Sequence, residues 1–264
     1  MPSFYDINAN GYLGGYRLDS SLPGITNLKS TLYALPRNNL ALYLDAANNN
    51  SYPGSGTTWT DLSGNGKNGT LTSTSYSTNF GGIIVPTSAA GYVTLGDNFL
   101  YAAQSFSIAF FFFWNNNPVQ SVAADADHLF AKGAGYTNGY ILRLTVQGQL
   151  IFTGGQSGGN QSTSSYGSVC RPNEWHYVVF TRQYNSINNS TGTIYVNGVD
   201  VTASSTTLLN FDSSALNFRI AAHSTATPTV FSRTQWGVFL IYEKVLDQNE
   251  IWNIYELYRY RYGI

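Results

Sequence analysis

Two apolar runs lie between residues 174 and 198, in the stretch EWHYVVFTRQYNSINNSTGTIYVNG. The runs at 175–182 and 193–196 are rich in aromatic and β-branched residues, a composition typical of strands. Asn197-Gly198 follows as the strongest short hairpin signal in the chain, because both residues adopt a positive φ at low cost. The stretch therefore predicts two strands and a tight turn in an all-β protein.

Short apolar runs separated by turn residues continue through the chain from Leu40, as in a β-sandwich. Further strands are predicted at 40–44, 91–95, 106–114, 129–131, 140–146, 149–153, 218–221 and 235–243. Gln147-Gly148 makes a hairpin of residues 140–153. Residues 156–167, rich in Gly, Ser, Gln and Asn, predict an exposed loop, and Asp61 with Ser63 predicts a capped loop.

The two ends of the chain differ from this pattern. Residues 1–38 carry scattered glycines and the aromatic residues Phe4, Tyr5, Tyr12 and Tyr16, with little periodicity, and we interpret them as an extended arm that precedes a sandwich at 39–264. At the other end, Asp247 and Glu250 have the spacing of a capping box. Ile251, Ile254, Tyr255 and Tyr258 then recur at helical intervals, which predicts a short C-terminal helix.

Several of these segments, in this order, resemble laminin G-like domains of the concanavalin A-like group. They are LYLD at 42–45, WTDLSGNGKNGT at 59–70, NFGG at 79–82, YV at 92–93, SFSI at 105–108, EWHYV at 174–178, IYVNG at 194–198 and IYEKVLDQNEI at 241–251. The resemblance covers residues 40–262 and implies a jelly roll of two antiparallel sheets. Its members include lectins, adhesion modules, glycanases and viral structural proteins, and domains with a similar DLSGNG opening occur in tailed-phage virion proteins.

Charge and cysteine content exclude several classes of protein. Only 10% of the residues are charged, and 13 Lys+Arg nearly balance 14 Asp+Glu, which argues against nucleic acid or an anionic membrane as partner. The single cysteine, Cys170, excludes an intramolecular disulfide framework. The first residues show no signal peptide, and the longest apolar run, 108–114, is too short to span a bilayer.

Acidic and histidine residues do not form a catalytic or metal-binding pattern, so we expect no enzyme activity and no cofactor. Retaining glycosidases need two carboxyl groups about 5 to 5.5 Å apart, and no predicted strand carries paired acids. His128, His176 and His223 are far apart in sequence, and His128 follows Asp125 and Asp127 in a predicted loop. The loop acids Asp61, Asp97 and Asp125 are candidates for calcium, but their spacing matches no known calcium loop.

Two functions remain open. The first is a virion structural protein, such as a capsid decoration, tail or fibre component, that contacts copies of itself and other virion proteins through Phe4, Tyr5, Tyr12 and Tyr16. Its 4 Lys and 4 Glu suit this expectation, because both types are depleted at interfaces. The alternative is a glycan-binding lectin or adhesion module. Its candidate sugar-stacking residues are the loop aromatics Tyr52, Trp59, Tyr136 and Tyr166.

Overall fold

The computed structural model describes residues 33–87, 90–115, 127–134, 137–157, 159–187, 189–205, 210–224, 232 and 234–264, together with the backbone of two short strands near the N-terminus. The strands are β1 (Tyr12–Leu13), β2 (Tyr16–Arg17), β3 (Leu40–Asp45), β4 (Thr58–Trp59), β5 (Gly69–Thr72), β6 (Thr74–Ser77), β7 (Ile83–Pro86), β8 (Tyr92–Thr94), β9 (Phe106–Phe113), β10 (Asp127–Lys132), β11 (Tyr140–Leu144), β12 (Leu150–Gly154), β13 (Gln161–Ser165), β14 (Trp175–Ser186), β15 (Asn189–Val196), β16 (Val199–Asp200), β17 (Thr202–Ser205), β18 (Phe218–Ile220) and β19 (Gln235–Tyr242). One α-helix, α1 (Gln248–Tyr262), closes the described chain.

The strands form two antiparallel sheets that pack as a sandwich. The nine-stranded sheet has the order β17-β13-β12-β11-β10-β18-β8-β5-β4. The eight-stranded sheet has the order β16-β15-β14-β9-β19-β7-β6, and β3 pairs with β19 beside β7. This arrangement confirms the predicted all-β concanavalin A-like jelly roll with a terminal helix.

The space between the sheets is filled by large aromatic and aliphatic side chains. Phe110, Phe130 and Phe152 are fully buried there, and the rings of Phe152 and Phe180 stack with centroids 3.7 Å apart. Alternate residues of a strand point to opposite faces of its sheet. The residues between these core positions therefore make the outer faces of the sandwich.

Helix α1 covers the outer face of the eight-stranded sheet. Ile251, Ile254 and Tyr258 pack there in a second apolar cluster with Phe111 and Tyr177, which confirms the predicted helical face. The capping box is also confirmed, because the Asp247 side chain accepts from the Glu250 N–H and the Glu250 side chain accepts from the Asp247 N–H.

The far end of α1 is held by an ion pair and a close approach. Arg261 donates to both carboxylate oxygens of Asp45 on β3, at 2.6 and 3.2 Å. Gly237 on β19 lies so close to Tyr262 that an added Cβ would be 2.0 Å from its Oη. This strand position therefore needs a residue without a side chain.

Two local predictions from the stretch at 174–198 are confirmed. Trp175 and Tyr177 are buried on one strand face, beneath α1. Asn197 and Gly198 have φ of 50° and 82° and join Val196 to Val199 in a two-residue hairpin.

Two other local predictions were wrong. The predicted loop 156–167 contains β13, which pairs with β12 and β17, because its hydroxyl side chains bond neighbouring strands. The Ser165 hydroxyl accepts from the Leu150 N–H, and Thr163 Oγ1 lies 3.2 Å from Ser205 Oγ. His128 was predicted to lie in a loop because it follows two aspartates. In the structure it lies on β10 and pairs with Arg143.

The N-terminal segment is described only in part. Phe4 and Tyr5 lie outside the described residues, and β1 pairs with β2 in an antiparallel hairpin. Residues 35–37 contact the sandwich: Leu35 packs on the cluster under α1, and the Pro36 carbonyl accepts from the Tyr242 hydroxyl at 3.1 Å. The arm at 1–38 and its boundary remain a prediction.

Candidate functional site

Burial corrects two of the four predicted sugar-stacking residues. Trp59 is fully buried in the core between the sheets. Tyr52 is 4% exposed, and its hydroxyl donates to the Gly56 carbonyl. Neither ring offers a face to a ligand. Tyr166 is 63% exposed and remains a candidate, and Tyr136 lies outside the described residues.

The loop acids that were candidates for calcium have other partners. Asp61 accepts from the backbone N–H groups of Tyr43, Ser63 and Lys67, which confirms its predicted role in capping a loop. Asp97 pairs with the buried ammonium of Lys132, and Asp125 lies outside the described residues. Among the residues that the structure describes, no three His, Cys, Asp or Glu side chains are grouped as metal ligands.

The outer face of the nine-stranded sheet carries a continuous line of polar side chains, which we call the polar row. The members on strands lie on this face because their strand neighbours, such as Leu142, Phe152 and Phe218, fill the core. Its members are Tyr92 on β8, Arg219 on β18, His223 after β18, His128 on β10, Arg143 on β11, Thr153 on β12 and Ser162 on β13.

Neighbouring members of the polar row contact one another. Arg219 stacks over Tyr92 at 5.2 Å and donates to the His223 carbonyl at 3.2 Å. The rings of His223 and His128 lie 5.3 Å apart. Because strands are spaced by about 4.8 Å, the row spans about 24 Å from β8 to β13.

The second half of the row continues through hydroxyl groups. Arg143 pairs in register with His128 and donates to Thr153 Oγ1 at 3.4 Å. Thr153 Oγ1 in turn lies 3.1 Å from Ser162 Oγ. The row therefore offers guanidinium, imidazole and hydroxyl groups along one line.

Exposure differs along the row. His128, Thr153 and Arg219 are buried, Tyr92, Arg143 and His223 are half-buried, and Ser162 is exposed. The buried members contact the accessible ones and so fix their orientation. A ligand on this face would therefore meet prearranged donors and acceptors, which reduces the entropy lost on binding.

The two histidines are neutral at neutral pH. Burial, followed by the nearby His223 and Arg143, lowers the pKa of His128 to about 3. Burial also lowers the pKa of His223, and Arg219 lowers it further. Sequence analysis missed this pair because the two residues are far apart in the chain and only the pairing of β18 with β10 brings them together.

Comparison with known proteins identifies the family. The profile of the concanavalin A-like lectin/glucanase superfamily matches residues 87–252, more than half of the chain. The chain belongs to this superfamily. The profile match begins after β7, whereas the resemblance seen in the sequence begins at residue 40. No curated protein matches the chain significantly.

Solved structures with the same fold include enzymes and binding domains. A Trypanosoma rangeli sialidase with the inhibitor DANA is 15% identical, with a TM-score of 0.58 over 84% of this chain and 33% of that one. The binding domain of Paraclostridial Mosquitocidal Protein 1 is 17% identical, with a TM-score of 0.59 over 83% and 52%. The botulinum neurotoxin type G receptor binding domain is 18% identical, with a TM-score of 0.56 over 83% and 51%.

This chain therefore spans about a third of the sialidase and half of each toxin binding domain. At these identities the likeness establishes the lectin-like fold alone. In the part of the chain that the structure describes, no helix is long and apolar enough to cross a membrane.

Proposed function

We propose that this protein is a non-catalytic binding module that recognises carbohydrate through the polar row. The observation that carries the proposal is the row itself, an ordered line of arginine, imidazole and hydroxyl groups on a sheet face. Sugars present many hydroxyl groups that both donate and accept, and these side chains match that chemistry. A few well-placed polar groups are also the usual source of ligand specificity.

The two outer faces of the sandwich differ, which supports this placement. Helix α1 fills the outer face of the eight-stranded sheet with apolar side chains. The outer face of the nine-stranded sheet instead carries the polar row. The toxin domains that share the fold are described as binding or receptor binding domains, and the same use of the fold is part of this proposal.

The non-catalytic part of the proposal rests on the roles of the described carboxylates. Asp45 pairs with Arg261, Glu250 with Lys244 and Glu256 with Arg259. The first pair joins α1 to β3, the second joins it to the segment before it, and the third lies within the helix. We therefore expect no reducing sugar to be released from glucans or galactans, and activity lost on mutation of one acid would contradict this expectation.

A glycan array tests the binding function directly. We expect the full chain to bind a defined set of glycans, and Arg143→Ala and Tyr92→Ala to weaken that binding because both remove accessible members of the row. Trp252→Ala is the matched control, because Trp252 is 42% exposed on α1, over the other sheet. An array without signal, or equal loss in the Trp252 variant, would contradict the proposal.

A virus particle is the setting that we propose for this module. The support is the N-terminal segment, whose Phe4, Tyr5, Tyr12 and Tyr16 lie among glycines. In this proposal the segment, which includes the hairpin of β1 and β2, adds to a neighbouring sheet edge through backbone hydrogen bonds and side-chain pockets. In this proposal the segment contacts copies of the chain and other virion proteins.

Replacing these four aromatic residues with serine tests the assembly role. We expect oligomers, measured by sedimentation velocity, to be lost while the melting temperature of the sandwich changes little. Oligomers that persist while the melting temperature falls sharply would show that the segment packs on its own sandwich. Mass spectrometry of purified particles tests the virion setting separately, and particles without this chain would contradict it.

A further inference from the structure

One side of β3 is covered by a loop instead of a strand. Strand β3 pairs with β19 along its other side, and within the described residues no strand pairs with it on this side. The loop at 61–65, which carries most of the DLSGNG motif, lies along the uncovered edge. Its groups stand where those of a neighbouring strand would be.

The contacts between this loop and the β3 edge are made mainly by side chains. Tyr43 donates its N–H to the Asp61 carboxylate at 3.0 Å, and its carbonyl accepts from the Leu62 N–H at 2.8 Å. The Asn65 side chain donates to the Ala41 carbonyl at 3.2 Å. A carboxylate and an amide side chain therefore satisfy backbone groups that an edge strand would otherwise expose.

Strand β3 has the composition of a strand that pairs readily with other chains. All six of its residues are buried, and residues 40–44, LALYL, carry no charge. Leu42 and Leu44 pack in the core between the sheets, whereas Tyr43 packs in the cluster under α1. Apolar, uncharged strands with an open edge are the usual starting points of strand pairing between chains.

The loop covers this edge as a thin surface layer. Gly64, Asn65 and Gly66 are exposed, and a Cβ added at either glycine would have no described atom within 4 Å. The two glycines adopt φ of 92° and 70°, a conformation that glycine reaches without strain. The contacts of Asp61 and Asn65 with β3 therefore do much to hold the loop on the edge.

We propose that the loop at 61–65 is an edge guard, which prevents β3 from pairing with β3 of a second copy of this chain. The strand is complementary to itself when two copies run antiparallel and are centred on Leu42. Ala41 of each copy then faces Tyr43 of the other, and the backbone groups that the loop now binds would bond one another. Such a contact is isologous and would join two eight-stranded sheets. This role is independent of carbohydrate binding.

Variants that remove the contacts of the guard test this proposal. We expect Asp61→Ala and Asn65→Ala to form larger species than the wild type in sedimentation velocity at equal concentration. Any association through the N-terminal segment is common to all samples. Asn48→Ala is the matched control, because the Asn48 side chain accepts from the Asn50 N–H within its own loop.

Folding of each variant is checked by near-UV circular dichroism. If Asp61→Ala does not fold, Asn65→Ala decides, since the Asn65 side chain is exposed. Folded variants that sediment like the wild type would overturn the proposal. Equal association of the Asn48 variant would also overturn it, because the effect would then not depend on the guard.

Amide hydrogen exchange locates the new contact in Asp61→Ala. The Tyr43 N–H has lost its acceptor there, so in dilute protein it should exchange about tenfold faster than in the wild type, as expected for one lost hydrogen bond. Protection of this amide should return as the protein concentration rises. Leu44, which lies opposite Phe239 on β19, should stay protected throughout. Association that leaves the Tyr43 amide unprotected would show that another surface pairs, and would overturn the proposal.

Discussion

Trp59 shows at the residue scale how burial changes the meaning of an aromatic side chain. In the sequence it stands beside a loop rich in Gly and Asn, a context in which aromatic residues stack on sugars. In the structure it lies in the core, and strand β5 passes so close that a Cβ added at Gly69 would lie 3.5 Å from the Trp59 Cβ. Its role is therefore in stability.

Replacing Trp59 by alanine should destabilise the fold strongly. We expect the free energy of unfolding to fall by about 3–5 kcal/mol, as for other large aromatic residues removed from cores. Tyr166→Ala is the comparison, because that side chain is largely exposed and such changes alter stability by about 0.5 kcal/mol or less. Urea unfolding measures both, and a Trp59 variant as stable as the Tyr166 variant would contradict the buried role.

His128 should make stability depend on pH. Its pKa in the folded protein is about 3, below the value of about 6.5 for an unfolded chain. Between these values the unfolded state binds more protons, so this contribution is fully present above pH 6.5 and is lost as pH falls toward 3. One such histidine changes the free energy of unfolding by up to about 1.4 kcal/mol per pH unit in this range.

The variant His128→Gln isolates this contribution. We expect it to reduce the dependence of the free energy of unfolding on pH between pH 6 and pH 4, relative to the wild type. Urea unfolding at four or five pH values gives both curves. Parallel curves would mean that His128 is protonated in the folded protein as readily as in the unfolded chain.

At the scale of elements, the apolar strands could be predicted from the sequence and the polar ones could not. Strands β3, β9 and β19 are long runs of core residues, and their pattern alone identifies them. Strand β13 is made of Gln, Ser and Thr and has no such pattern. It becomes a strand because β12 and β17 bind its backbone and hydroxyl groups, which depends on partners distant in sequence.

The packing of α1 on the sheet gives a prediction at this scale. Gly237→Ala should destabilise the protein by about 1–3 kcal/mol, the usual cost of overpacking, because the new Cβ would overlap Tyr262. The cost should shrink in a Tyr262→Ala background, since the two changes share one contact. Gly167→Ala is the control, as nothing lies within 4 Å of its added Cβ. Equal costs in both backgrounds would contradict the contact.

For the whole molecule, the fold class was accessible from the sequence and the candidate site was not. The sandwich follows from the strand pattern together with the family segments, whose order is preserved along the chain. The polar row joins residues from six strands and a loop, and its members are ordinary polar residues when considered one at a time. Only the order β13-β12-β11-β10-β18-β8 brings them into line.

The central claim is that the outer face of the nine-stranded sheet binds carbohydrate, and isoleucine methyl groups report on it. Ile141 lies opposite Thr153 and Ile151 opposite Arg143 on this face, whereas Ile251 and Ile254 belong to α1 and pack against the opposite sheet. Titration of methyl-labelled protein with the strongest glycan from the array should shift the NMR signals of Ile141 and Ile151 and leave those of Ile251 and Ile254 in place. Shifts confined to Ile251 and Ile254 would contradict the claim.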